Sequence, residues 1–160
     1  MDVSSVETAE PASAGDIVAR LRAEQNFALA VPAGLAAAVV GALLWAAVVY
    51  LSHMEIGLIA VALGALVGYA VKLAGSGIEL RFGILGAVCA ALGWGLGTTL
   101  GDVAFLANAR NMPLLDVLQR LDLHGLGTLF TLAFEPLDLL FLGIAVYEGY
   151  KFSFRLRIAQ

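Results

Sequence analysis

Four apolar runs occupy most of the chain and leave little else to fold. They read FALAVPAGLAAAVVGALLWAAVVYL, IGLIAVALGALVGYAVKLA, FGILGAVCAALGWGLGTTLGDVAFLANA and PLDLLFLGIAVYEGYKF. A helix needs roughly 17–25 mostly apolar residues to cross the hydrocarbon of a bilayer, and each run reaches that length or exceeds it. The pattern therefore predicts an all-α polytopic membrane protein with four transmembrane helices, at about residues 28–51, 56–74, 82–106 and 136–152. The turns SHME (52–55) and GSGIELR (75–81) are short enough to force antiparallel hairpins. Residues 107–135 form the one longer connection.

Composition agrees with this reading. Of 160 residues, 61% are hydrophobic and 14% charged, whereas a soluble domain carries about 25% charged residues. The expected organisation is a single transmembrane domain over 28–152, preceded by an acidic tail and short juxtamembrane helix (1–27) and followed by a basic tail (153–160). Residues 1–14 are small, polar and acidic and read as a disordered tail. Asp16 is expected to cap a short helix, DIVARLRAEQNF, whose Ile17, Val18, Leu21 and Phe27 would approach the bilayer surface. An acidic start followed by a long apolar run does not fit a signal peptide, so the first run is expected to remain as a span.

Within 107–135, Pro113 opens MPLLDVLQRLD, an expected amphipathic helix with Leu114, Leu115, Leu118 and Leu121 on one side. HGLGTLFTLAF follows as a separate segment, and Glu135-Pro136 reads as the start of the fourth span. Because the spans alternate, Arg20, Arg22, Lys72, Arg81, Lys151, Arg155 and Arg157 share one side, and only Arg110 and Arg120 lie on the other. The base-rich side is normally cytoplasmic. Both termini are thus expected in the cytoplasm of a bacterial cell, with the chain in its inner membrane and 107–135 outside.

The remaining chemistry is sparse. No basic patch with interleaved aromatics points to nucleic acid. Cys89 is alone, so it cannot close an intramolecular disulfide, and it reads as a small packing residue. No cofactor, metal or catalytic motif stands out. Thr98, Thr99 and Asp102 are the only compact catalytic candidates, and they match no recognisable nucleophile–base pattern.

Small residues recur at helical spacing instead. Gly57, Gly64 and Gly68, continued by Gly75, line one face of the second span; Gly86, Gly93, Gly97 and Gly101 line one face of the third. Gly34, Ala38, Ala42 and Ala46 do the same in the first span, and Ala145 and Gly149 in the fourth. Such faces let helix backbones approach in lipid, where burial of apolar surface drives nothing. They either hold the four spans to one another or present a seam to a second copy or another membrane protein.

Ionisable groups in a span are costly and are candidates for function. Asp102 lies late in the third span and Asp138 early in the fourth, at the same end as Glu135, His53, His124 and Glu55. Two readings remain open: an outer cation or proton site, or helix capping and interfacial solvation. At the inner end Glu148 and Lys151 are spaced to pair, with Lys72 and Arg81 as cross-helix alternatives for Glu148. Tyr147, Tyr150, Phe152 and Phe154 with Arg155 and Arg157 form an aromatic-basic terminus suited to the interface.

The ending FEPLDLLFLGIAVYEGYKFSFR (134–155) resembles the close of small uncharacterised bacterial four-span integral membrane proteins. The stretch GYAVKLAGSGIELRFGILGA (68–87) is similar to their second helical hairpin, and together these stretches make up about a quarter of the chain. The resemblance implies a four-span layout and no particular reaction, cofactor or site residue. The leading expectation is a structural or interaction subunit that acts by helix packing. The alternative is a channel or transporter for a cation or small solute that uses Asp102 and Asp138, and a membrane enzyme ranks third.

Overall fold

A computed structural model describes residues 13–52, 58–120, 122, 124–125, 127–128, 131 and 136–155. Among these residues there are six helices and no strand: α1 (Ala14–Ala23), α2 (Phe27–Ser52), α3 (Ile59–Gly75), α4 (Leu80–Ala109), α5 (Leu114–Arg120) and α6 (Pro136–Phe152). The tails 1–12 and 156–160, the first turn with His53, Glu55 and Gly57, and most of 121–135 with Glu135 lie outside the described residues.

Local chemistry sets the helix ends. The Ser13 hydroxyl accepts from the Asp16 amide and the Asp16 carboxylate accepts from the Ser13 amide, each at 3.3 Å. This reciprocal pair is a capping box. It corrects the expectation for Asp16: Ser13 is the cap, and Asp16 is the third helical residue that reaches back to it. Asn26 starts α2, with its side-chain oxygen accepting from the Leu29 amide at 3.0 Å. At the end of α3, Ser76 takes a left-handed conformation (φ 47°) and its amide donates to the Lys72 carbonyl at 2.9 Å. Gly75 and Gly77 flank it for another reason, because the Phe82 ring fills the space a side chain would need at either position.

The close approaches between helices fix their directions. α2 runs antiparallel to α3, with Ala30 against Gly75, Gly34 against Val71 and Gly41 against Leu63. It runs parallel to α4, with Gly34 against Cys89, Ala38 against Gly93, and Trp45 against Gly97 and Gly101. α6 lies parallel to α3 (Ala145 on Gly64, Gly149 on Gly68) and antiparallel to α4 (Tyr150 on Gly83, Gly149 between Gly86 and Ala90). α3 and α4 thus form a central pair, with α2 in the groove on one side and α6 on the other. Among the described residues α2 and α6 do not meet, and α1 packs on no other helix.

α2 and α4, at 26 and 30 residues, are long and apolar enough to cross a bilayer. α3 and α6 have 17 residues each. Residue size is sorted across the bundle. The interior is mostly alanine and glycine, such as Ala30, Ala38, Ala42, Gly64, Gly86, Ala90 and Ala145, with Leu63, Phe82, Trp45 and Trp94 among the few large exceptions. The exterior is leucine and valine, with Leu43, Leu44, Val88, Leu92, Leu139 and Leu140 all at least half exposed.

α5 covers the far end of α4. Val117 is buried against Val103 and Ala107, and Leu114 packs beside them. Leu115 is 63% exposed, so it does not join Leu114 on the buried side as the sequence pattern suggested. The covering face is the Leu114–Val117 pair, three residues apart, because α5 is a single short helix that meets α4 along one edge.

Candidate functional site

The polar chemistry of the chain gathers at the two ends of the bundle. At the basic end, the α1–α2 junction, the α3–α4 turn and the segment after α6 are bound to one another. The Gln25 side chain donates to Glu79 Oε1 at 3.3 Å and accepts from the Ile78 amide at 3.2 Å. The Asn26 amide donates to the Gly75 carbonyl, and the Arg155 amide to the Gly77 carbonyl, both at 2.9 Å. The Arg155 guanidinium donates to Glu24 Oε2 at 2.6 Å. Arg81 pairs with Glu79 at 2.8 Å, with Arg22 farther off at 3.9 Å. Three separate stretches of chain are closed into one clasp.

Aromatic rings surround this clasp. The Arg81 guanidinium lies 5.4 Å from the Phe27 ring centre and 5.3 Å from that of Phe82, and the two rings meet edge to face. On the α3–α6 side, Tyr69 and Phe152 stack with centres 4.9 Å apart. Lys72 lies over Tyr69 at 5.6 Å, and Lys151 lies 5.2 Å from Phe152 and 5.5 Å from Tyr147.

Lys151 also pairs with Glu148 at 3.7 Å. The cross-helix alternatives proposed for Glu148 are not used: Arg81 is engaged by Glu79, and Lys72 by an aromatic ring. Glu24, Gln25, Asn26 and Glu79 were not singled out in the sequence. The available signal was two polar turns assigned to the same end, but the partners stand 54 and 131 residues apart, so only the fold matches them.

At the opposite end, Asp102 is 8% exposed, next to Val103 and Ala104 in the last third of α4. Asp138 is half-buried in the first turn of α6, where a negative charge complements the helix dipole. Gly149 sits level with the stretch between Gly86 and Ala90. Counting from there at 1.5 Å per residue brings Asp138 within about one turn of the level of Asp102. Thr98 lies one turn before Asp102 on the same face, with its hydroxyl buried.

His124 is exposed, and its carbonyl accepts from the Thr128 hydroxyl at 2.9 Å. His53 and Glu135 lie outside the described residues. Among the described residues no three His, Cys, Asp or Glu side chains converge as a metal site would require. The glycine faces turn inward: Gly64 and Gly68 meet α6, Gly86 meets Gly149 and Ser153, and Gly93, Gly97 and Gly101 meet α2. Gly57 is outside the described residues.

The chain matches no protein-family model, no curated protein and no solved structure.

Proposed function

We propose that the chain is a four-span integral protein of a bacterial inner membrane and that it acts as a structural or interaction subunit through helix packing. The inverted sorting of residue size carries this reading. In water, each leucine side chain left exposed forgoes roughly 1.5–3 kcal/mol of burial, and monomeric soluble proteins seldom expose continuous apolar patches above about 300–600 Å². Leu43, Leu44, Leu92, Leu96, Leu139 and Leu140 face outward while alanine and glycine fill the centre. Lipid removes the penalty on the outer leucines, and close backbone approach through small residues then holds the helices together.

The 17-residue helices α3 and α6 are about 25 Å long. That is shorter than a hydrocarbon core of about 30 Å, a mismatch that local thinning and flanking anchors accommodate. Arg22, Lys72, Arg81, Lys151 and Arg155 gather at one end, which favours both termini in the cytoplasm.

The test begins with fractionation. The chain should stay in the membrane after a high-pH wash and need detergent for release. Single cysteines at Ser13 and Arg155 in a Cys89→Ser background should label only from the cytoplasmic side, and one at Leu115 only from outside. Native mass in a mild nanodisc should then exceed that of one chain, through a second copy or a stoichiometric membrane partner. A single-chain mass in every extract would reject the subunit reading.

A second reading, a cation or solute pathway, is favoured by one observation: a carboxylate, Asp102, lies 8% exposed inside an apolar helix, near the level of Asp138. It requires flux into liposomes that falls at least tenfold in the Asp102→Asn, Asp138→Asn double variant while assembly is kept.

A further inference from the structure

The geometry points to an anionic phospholipid site on the outer groove between α3 and α6 at the basic end, with the headgroup phosphate held by Lys72 and Lys151. The inference rests on the membrane reading and adds a ligand to it. The two lysines come from different helices, yet the register brings them level. Gly64 faces Ala145 and Gly68 faces Gly149, a constant offset that places Lys151 beside residue 70. Lys72 is then two residues farther along, or about 3 Å in height.

Both ammonium groups also lie against the same aromatic pair. Lys72 is 5.6 Å from the centre of Tyr69, Lys151 is 5.2 Å from that of Phe152, and the two rings stack at 4.9 Å. The stack orders two side chains that would otherwise lose much rotamer freedom on binding.

Charge at the site is incompletely balanced. Among the described residues Glu148 is the one carboxylate paired with either lysine, and its pair with Lys151 is loose at 3.7 Å. The other described carboxylates at this end are engaged elsewhere, Glu79 by Arg81 and Glu24 by Arg155, while Asp16 closes the cap of α1. Two ammoniums against one carboxylate leave a net positive charge.

The surface that runs away from this charge is apolar. Leu66 and Tyr69 share the outer face of α3 on the side of Lys72 away from the helix end, and Leu140 and Tyr147 share that of α6. A positive spot at the interface above an exposed apolar groove suits a molecule with a phosphate at one end and acyl chains at the other. Free phosphate would use only the first half of it. A zwitterionic lipid would bring its own cation to a site that already has an excess.

The experiment uses the full chain purified in a neutral detergent, with phosphatidylglycerol and phosphatidylcholine of identical acyl chains titrated separately and bound lipid counted by native mass spectrometry. The wild type should bind one phosphatidylglycerol at least tenfold more tightly than phosphatidylcholine, and added salt should weaken the preference. A basic side chain near an anionic lipid surface is worth about 1 kcal/mol, so each of Lys72→Gln and Lys151→Gln should cost about fivefold in the preference. The double variant should abolish it.

The Arg20→Gln, Arg22→Gln variant removes the same charge from α1 and should keep the preference. An equal loss there would mean diffuse attraction and would overturn the site. Displacement of the lipid by millimolar inorganic phosphate would overturn the lipid as occupant. The membrane reading fails separately: a chain that stays soluble without detergent rejects it, whereas a chain that enters detergent micelles but binds both lipids equally rejects only the site. Circular dichroism of each variant checks that the helices remain.

Discussion

At the basic end of the bundle α6 presses its backbone against α3 and α4, whereas toward the opposite end α2 and α4 meet through side chains. A methyl group placed on Gly86 or Gly149 would run into backbone oxygen of the facing helix. Along the α2–α4 seam the fit relaxes with distance from that end. A methyl on Gly34 would meet Cys89 Sγ at 3.1 Å, on Gly93 the Cα of Ala38 at 3.1 Å, on Gly97 the Trp45 ring at 3.3 Å, and on Gly101 a Val49 methyl at 3.5 Å. The polar bonds follow the same division. The basic end is tied by the Gln25, Asn26 and Arg155 bonds, and the opposite end has Asn108 Nδ2 donating to the Tyr50 carbonyl at 2.9 Å. Among the described residues the backbone contacts of Gly86 and Gly149 therefore lie together with the Gln25, Asn26 and Arg155 bonds near the bases, and that end is the fixed point of the bundle.

One substitution made at both ends should break this comparison most sharply. Gly86→Ala forces a methyl against the Ser153 hydroxyl and the Gly149 carbonyl, which can yield only if α6 moves. Overpacking of this kind costs about 1–3 kcal/mol, and a backbone obstacle places Gly86 at the upper end. Gly101→Ala meets only ordinary contacts at 3.5 Å and beyond. It should gain up to about 1 kcal/mol from helix propensity. Denaturation by SDS in mixed micelles, followed by helicity, should therefore shift the two variants in opposite directions. Equal destabilisation would mean that the seam is as tight at one end as at the other.

The long apolar runs were legible because helix length and hydrophobicity are local properties. α2, α3, α4 and α6 begin and end within a few residues of the expected bounds. The small-residue faces could also be written down from spacing, but not which helix each would meet. The α3 glycines turn toward α6, and those of α4 divide between α6 and α2, because assignment depends on how two hairpins dock. The clasp was illegible for a related reason. Gln25, Glu79, Glu24 and Arg155 are isolated polar residues in turns or helix ends, and no spacing rule links positions 54 or 131 apart. Asp16 was misplaced by three residues because a capping box contains two acceptors, and either one resembles a cap when read alone. Asp102 was legible as a carboxylate in an apolar run; its burial within the bundle required the fold.

A smaller effect sharpens the comparison of the polar bonds. Gln25→Ala removes two hydrogen bonds to the α3–α4 turn, one of them from a partly buried amide. Its cost should be about 1–2 kcal/mol, since each bond contributes about 1 kcal/mol net. Asn108→Ala removes a single exposed bond to Tyr50 and should cost about 0.5 kcal/mol. Hydrogen exchange separates them further: Gln25→Ala should speed exchange at Ile78 without affecting Met112, and Asn108→Ala should leave Ile78 unchanged. If Asn108→Ala proved the costlier of the two, the basic end would lose its claim to be the fixed point.

The smallest expected effect concerns the Glu24–Arg155 pair, which joins residues far apart in the chain at 2.6 Å but is 58% and 43% exposed. Distance alone would make it strong; exposure decides otherwise, because water and salt screen both charges. Its coupling in a double-mutant cycle of Glu24→Gln and Arg155→Gln should be at most about 1 kcal/mol and should shrink as salt is raised. The Arg155 amide bond to the Gly77 carbonyl does not depend on either charge. The segment after α6 should consequently remain docked in both single variants, with the Arg155 amide still protected from exchange. Loss of that protection in Glu24→Gln would show that the ion pair, rather than the backbone bond, holds the C-terminal segment to the α3–α4 turn.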